Sequence, residues 1–493
     1  MTSEHYDVIV VGAGYGGVTI AGLLARDGQR VLLVDKNNEP GGKGLTIRRH
    51  GHVYEMWGGL GVPANNSRFH ELVAALGLED EVKFVFAEGN SADLRYKAAT
   101  GEWRSAVSGP NEAEDPNTVE RMKTVFDATD EDFACLGKMF GDIVGTPDDE
   151  LDALDDVGAL EWMRSFGFRE SLVTQMACTL NLLFCAPVNR IPVSEAVRTL
   201  RDIYAGGAGR YHVGGYGKVA EACAAYVEKH GGTFLPGTRV QQILVEDGRA
   251  VGIATSKAEF RAPVIISDAG IQPTVLKLVG TEHFPADYVE RVRSLEPSFS
   301  VVGVRYFLDR PVFELPMTLV YSDRSWWDDE RYAAAMNGLW PDVSLVFVGV
   351  PGLFDRSLIP ESGEQVAISA ALGPADPRSP MNEVAVAKSE ETLRELWPEL
   401  FEHIVRREPY HAQHVSNMTR DSVVPGQGGE AIGLGQVIGQ CGRSKPDPRT
   451  PLPGLYLVGC DAGGHGAGTH QAVDSGFNVA AMVSEDLGIP TAI

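Results

Sequence analysis

At 493 residues the chain is too long for one hydrophobic core, and two domains are expected. Its 44% apolar and 22% charged content are those of an ordinary globular protein without low-complexity tracts. A formal charge of -24 argues against a nucleic acid partner and against electrostatic attraction to anionic lipid headgroups, because both select clustered Lys and Arg.

In chain order, Tyr6 to Val11 is a β-branched run that stops at Gly12-Ala13-Gly14-Tyr15-Gly16-Gly17. Val18 to Asp27 then shows helical spacing of Ile20, Leu23 and Leu24, and Gly28 closes the helix. Arg30 to Asp35 reads as a second buried strand ending in an acid. A G-x-G-x-x-G triad alone also occurs in turns that bind nothing. Here a strand precedes it and a helix follows, the setting of a dinucleotide fingerprint: Gly12 for the tight turn, Gly14 for close approach of a pyrophosphate, Gly17 for helix–strand packing. Asp35, 21 residues after Gly14, is placed to accept from a ribose 2′-hydroxyl.

A helix-rich insert follows, roughly residues 66–205. Then come the glycine-rich segment Tyr211 to Gly217, an amphipathic helix from Lys218 to His230, and strands Thr238 to Val245 and Val251 to Thr255 around an Asp247-Gly248 turn. Ala262 to Ala269 is another strand. After a strand-and-helix insert, roughly 285–449, the chain ends with a strand at Gly454 to Gly459, a glycine turn at Gly463 to Gly468 and a helix from about Ala472 to Leu487. The expected fold class is α/β: residues 1–65, 206–284 and 450–493 form a discontinuous Rossmann-like nucleotide domain, and 66–205 with 285–449 form an α+β substrate domain.

The segment Asp35 to Gly44, D-K-N-N-E-P-G-G-K-G, carries a glycine pair and a basic residue after the acid. With Tyr211-His212-Val213-Gly214-Gly215, Gly232 to Val240, Ile265 to Ala269 and the terminal Leu452 to Gly459, it resembles the phytoene desaturase, carotenoid isomerase and retinol saturase type of flavoprotein, more distantly similar to amine oxidases. The resemblance covers nearly the whole chain and implies an FAD domain of the glutathione-reductase type. It places Gly41 to Gly44 along the cofactor, the Val240 backbone at the adenine side, Asp461 near the ribityl chain and Gly466 to His470 close to the isoalloxazine. The implied cofactor-binding set is Gly12, Gly14, Gly16, Gly17, Asp35, Lys36, Gly42, Lys43, Gly59, Val240, Gly459, Asp461, Gly468 and Thr469.

Flavin chemistry asks side chains mainly to position the substrate and exclude water; proton donors enter when a double bond is made, saturated or moved. His465, His470 and Glu55 are the candidates, although a histidine in a glycine turn more often bonds a backbone carbonyl. Trp57, Trp326 and Trp327 read as packing or pocket walls, and Asp247 and Asp268 as turn residues. Leu160, Phe166, Phe168, Leu172, Met176, Leu180, Leu183 and Phe184 read as tunnel lining or, for most, as core. The expected activity is desaturation, saturation or isomerisation of a C=C bond in an apolar terpenoid- or polyene-like substrate, by hydride transfer at flavin N5. Alternatives are an amine or alcohol oxidase and a non-catalytic prenyl-binding protein of the dissociation-inhibitor type.

Two stretches depart from the desaturase pattern. Tyr54-Glu55-Met56-Trp57-Gly58-Gly59 stands where an aromatic and an aspartate precede a glycine-proline pair, and Gly463 to His470 replaces a histidine-proline-glycine element. With no second G-x-G-x-x-G for a nicotinamide, the electron acceptor or donor is open: oxygen, a quinone or a separate donor. Six scattered cysteines without C-x-x-C or zinc-ligand spacing predict reduced thiols, no metal and a cytoplasmic location. An apolar patch at a tunnel mouth would still allow peripheral membrane contact.

Overall fold

The computed structural model describes residues 5–58, 67–109, 118–206 and 210–488. Strand Val8–Val11 lies at the centre of a five-stranded parallel sheet, between Val31–Val34 and Val264–Ser267, with Thr233–Leu235 and Leu455–Leu457 at the edges. The side-chain period of two divides this strand between two cores. Val8 and Val10 face the helices Tyr15–Arg26, Lys218–Lys229 and Gly468–Leu487, while Ile9 and Val11 face the other way. That second face is covered by the antiparallel sheet Val240–Glu246, Arg249–Thr255 and Glu259–Arg261, through Ile243 and Ile253. The hairpin between its first two strands turns on Asp247 (φ 48°) and Gly248 (φ 75°), the left-handed pair that a tight two-residue hairpin requires.

The first helix starts at Tyr15, directly after Gly14, rather than at Val18 as apolar spacing suggested. Glycine makes this start sterically open. A Cβ on Gly17 would sit 2.0 Å from the Gly12 carbonyl oxygen, and Gly12 itself has φ 102°.

The second unit is built on a seven-stranded sheet in the order Ile404–Tyr410, Ser300–Leu308, Gln365–Gly373, Val346–Gly349, Met317–Ser322, Ala92–Lys97, Trp103–Ser108. All neighbours are antiparallel except Met317–Ser322 beside Ala92–Lys97. Helix Met381–Leu396 covers one face, packing Ala385 and Leu393 against Val302 and Val304. The helices between residues 118 and 206 gather around Leu172, Phe184 and Trp326. Packing reaches past the expected boundaries at 66 and 285. Helix Arg68–Ala75 gives Phe69, Leu72 and Val73 to the nucleotide core, and Ala286–Ser294 gives Val289 and Val292 to its other face, because an amphipathic helix joins the apolar surface beside it. Among the described residues no helix is long and apolar enough to cross a membrane.

Gly17→Ala forces this loop apart, so its cost is that of overpacking, about 1–3 kcal/mol. A lower unfolding midpoint in urea together with reduced flavin content after purification is the expected result; unchanged values would show that the turn can give way.

Candidate flavin site

Two glycine turns, one from each end of the chain, open on a single cavity of about 1210 Å³. The N-terminal side contributes Gly14, Tyr15, Gly41 and Lys43, and the C-terminal side Cys460, Asp461, Gly466, Gly468 and Thr469. The Gly41 amide donates to the Ala13 carbonyl (2.7 Å), which fixes the glycine pair against the first turn. Gly42, at φ 56°, backs onto Gly14: its Cβ would lie 3.2 Å from the Gly14 Cα. Tyr216 OH meets Thr469 Oγ1 at 2.5 Å and closes the wall between the two sides.

Of the residues expected from sequence, Gly14, Lys43, Glu55, Asp461, His465, Gly468, Thr469 and His470 lie on the cavity wall. Gly12, Gly16, Gly17, Gly42 and Gly459 form the backbone behind it. Asp35 ends its strand as expected: Oδ2 accepts from the Ala13 amide and Oδ1 from the Asn37 amide, both at 2.7 Å, leaving each oxygen a further lone pair. The Thr238 amide donates to the Asp35 carbonyl (2.7 Å), bringing the start of the Val240 strand alongside. Val240 itself packs into the core, and Lys36 pairs with Asp421 (3.6 Å), a carboxylate shared with Arg239 and Lys277. Gly59 lies outside the described residues.

Two buried charges, Arg420 and Glu430, were not read from the sequence. Arg420 forms a fork on Asp461 (Nη2–Oδ2 2.6 Å, Nη1–Oδ1 3.2 Å) and its Nε meets Glu430 at 2.9 Å. Asp461 also accepts the amides of Ile271 (2.9 Å) and Leu434 (3.0 Å). Burial pushes the Asp461 acid up, but the guanidinium and these donors outweigh it and hold it below the usual carboxylate range. Asp268, expected as a turn residue, is instead buried against the glycine loop. A Cβ on Gly14 would lie 2.4 Å from its Oδ2 and one on Gly459 2.4 Å from its Oδ1. Burial pushes this acid well up, partly offset by the Gly17 and Gly14 amides. Lys43, buried on the wall near Glu430 and Arg420, has its ammonium pushed down by desolvation.

These residues fit a dinucleotide. Side chains are missing where a pyrophosphate must touch backbone, the helices Tyr15–Arg26 and Gly468–Leu487 both begin at the cavity, and Lys43 brings a cation to its wall. FAD would be held by the Gly12–Gly17 turn and Asp35 at one end and by the Gly459–Thr469 segment at the other. A family model described as flavin containing amine oxidoreductase matches residues 15–484.

The chain belongs to that family.

It is an FAD-dependent oxidoreductase. Among curated relatives, prolycopene isomerase 1 of an Oncidium hybrid cultivar is 24% identical over 99% of this chain and 85% of its own length. All-trans-zeta-carotene desaturase of Myxococcus xanthus is 26% identical over 98% of this chain and 94% of its own. In fold, an oxidoreductase from Methanosarcina mazei matches with a TM-score of 0.72 and 17% identity, covering 96% of this chain and all of that one. The dissociation-inhibitor reading falls with this membership.

The three candidate proton carriers of this flavin oxidoreductase differ in their surroundings. Glu55 accepts from Tyr211 OH, the Tyr216 amide (2.8 Å) and Thr46 OH (3.0 Å). Burial raises its acid to about 7 against the pull of these donors, and the same bonds clamp the hairpin Thr46–Glu55 to the Tyr211–Gly217 turn. His470 is pressed against Phe69 (ring centroids 4.9 Å apart), and burial, with His70 nearby, pushes it down to about 4. It is therefore neutral near pH 7. His465 stands half-exposed on the rim, its Nδ1 2.9 Å from Glu195. Trp57 is on the wall, edge-on to Tyr410, whereas Trp326 and Trp327 are buried in the helical core. Of the eight apolar residues considered for a tunnel, Leu183 reaches the wall and the others pack around Trp326.

His212 is fully buried beside Phe69, Phe84 and Tyr216, with no hydrogen-bond partner for either ring nitrogen among the described residues. Burial, with His470 and His70 adding, pushes it down to about 3. A histidine held neutral in the folded state stabilises above its unfolded value of 6.5 and loses that contribution as the pH falls, by up to about 1.4 kcal/mol per pH unit for each ring. Urea unfolding from pH 7 to 5 should show this loss from His212 and His470, and His212→Phe should make it shallower. An equal slope in the variant would rule the histidine out as its source.

Proposed function

We propose that this FAD-dependent oxidoreductase acts on carbon–carbon bonds of an apolar polyene or terpenoid-like chain, desaturating, saturating or isomerising it. The observation that carries the reading is the composition of one wall of the cavity. Helix Glu170–Phe184 contributes Thr179, Leu182 and Leu183, and the seven-stranded sheet contributes Ala92, Val301, Met317, Leu319 and Phe347. None of these is charged. An apolar chain lying there removes its own surface and the wall's from water, about 25 cal/mol for each Å² buried. The names of the relatives, isomerase and desaturase of carotenoids, point the same way.

FAD, when bound, supplies the capacity to accept or return a hydride. The protein's part is to fix the chain beside it and exclude water. Leu183 and Phe347 stand on the apolar wall, Trp57 on the same cavity packs edge-on to the buried Tyr410, and the bonds of Glu55 keep the hairpin before Trp57 in place. An amine oxidase would call for a polar-headed pocket with an aromatic cage, and the sheet-side wall offers no charged side chain among the described residues.

Anaerobic mixing with linear polyenes in detergent, read as flavin absorbance near 450 nm, tests the reading. Polyenes should bind or change the flavin spectrum and simple amines should not, and Leu183→Trp should weaken the polyene response at least tenfold without altering flavin content. Bleaching by amines with no response to any polyene would overturn the proposal in favour of amine oxidation.

A further inference from the structure

We propose that Glu195 is a positioning residue that holds His465 as the proton-exchanging group of the flavin cavity. The inference rests on the carbon–carbon chemistry proposed above. Glu195 lies in the first turn of helix Val193–Gly206 and is completely buried, yet it faces the half-exposed ring of His465, 270 residues away. Other histidine–carboxylate pairs in this protein put the acid outside: His403 is 19% exposed against 59% for Asp309, and His52 is 10% against 20% for Glu364. Here the order is reversed, with the acid at 0% and the ring at 49%, opening on the cavity. A tie made only for stability gains nothing by burying a carboxylate behind an accessible imidazole.

The ring is fixed from both sides. Its Nδ1 lies 2.9 Å from Glu195 Oε1, and its own backbone amide donates to Asp474 Oδ2 at 2.9 Å, a carboxylate anchored by Arg68 Nε. The charges around the pair are Arg198 on the helix of Glu195 (3.5 Å from Oε1), Lys445 on the preceding loop, and Asp474 with Arg68 on the side of the C-terminal helix. Burial pushes the Glu195 acid up, but the hydrogen bond from His465 and the charges of Lys445, His465 and Arg198 outweigh it, so it stays ionised. An ionised partner keeps the Nδ1 proton in place and leaves Nε2 to gain and lose one, as a second-sphere carboxylate does for a ligating or catalytic histidine.

FAD, when bound, would supply the hydride chemistry: oxidised, it would take a hydride from one carbon in a desaturation, and reduced, it would give one in a saturation. His465 Nε2 would accept the proton of the neighbouring C–H bond, whose electron pair becomes the new C=C bond, and would release it to water from the exposed ring edge. In a saturation the ring would return that proton to the carbon next to the one that receives the hydride, and in an isomerisation it would take the proton and give it back.

The test uses the FAD-loaded protein labelled with 15N-histidine, with Glu195→Gln, Glu195→Asp and His465→Asn. The resonance missing in His465→Asn identifies the ring. Glu195→Gln should move the ring proton off Nδ1, read from the two 15N shifts of the ring, Glu195→Asp should keep the wild-type pattern, and flavin content should not change. Polyene-driven flavin reduction should slow in Glu195→Gln with little change in the polyene concentration needed for half-maximal rate, and His465→Asn should slow it by about 10²–10⁴-fold. A tautomer pattern unchanged in Glu195→Gln overturns the proposal. So does a rate within twofold of wild type in His465→Asn. If no polyene reduces the wild-type flavin, the substrate reading fails separately, and the ring's 15N pattern then decides the pair by itself.

Discussion

A Cβ on Gly16 would come within 2.7 Å of the Gly459 Cα, and one on Gly476 within 2.5 Å of the Thr19 Cβ. The rest of the site depends on this approach of the two ends of the chain, because only bare backbone allows it. It lets helices Tyr15–Arg26 and Gly468–Leu487 cross in contact with both N-termini turned to one cavity. Each N-terminus brings about half a positive charge, one suited to a pyrophosphate and the other to charge accumulating on a reduced flavin. Any side chain at the crossing would separate the two fields and divide the cavity.

Around that contact the protein buries more acid than base. Asp35, Asp461 and Glu430 are buried near the glycine turns, with Asp268 pressed against the glycine loop, facing Lys43 and Arg420. The acids are tolerable because each has an assigned partner: backbone amides for Asp35 and Asp268, and Arg420 for both Asp461 and Glu430. Such a network adds little net stability compared with apolar packing, since desolvation consumes most of the attraction. Its effect is geometric. It fixes the segment around Arg420, which belongs by sequence to the second insert, onto the wall of the nucleotide domain and so joins the two units at the cofactor.

The cavity divides its work in the same way. The helix Val193–Gly206 and the C-terminal turn bring ionisable groups to one side, and the seven-stranded sheet with helix Glu170–Phe184 brings uncharged ones to the other. Glu55 sits at the seam. Its three accepted hydrogen bonds make it an organiser of the hairpin and the Tyr211–Gly217 turn, which leaves His465, open on the rim with a buried carboxylate behind it, as the group best built to exchange protons.

The sequence alone determined the nucleotide fold and the FAD cofactor, because those signals are local. A continuous β-branched run at Val8–Val11, glycines at fixed offsets and an acid at a strand end each report backbone geometry within a few residues. His465 and Asp461, both singled out from the sequence, lie on the cavity wall. Only tertiary structure could reveal Arg420, 41 residues from its partner Asp461, or Glu195, 270 from His465, since side-chain pairing across such separations leaves no periodic trace. Asp268 read as a turn residue because a strand end followed by glycine looks the same whether the acid faces water or a glycine loop. The apolar spacing of residues 160–184 likewise fits a tunnel or a core equally well; packing decided it, putting Leu183 on the wall and the remaining seven around Trp326.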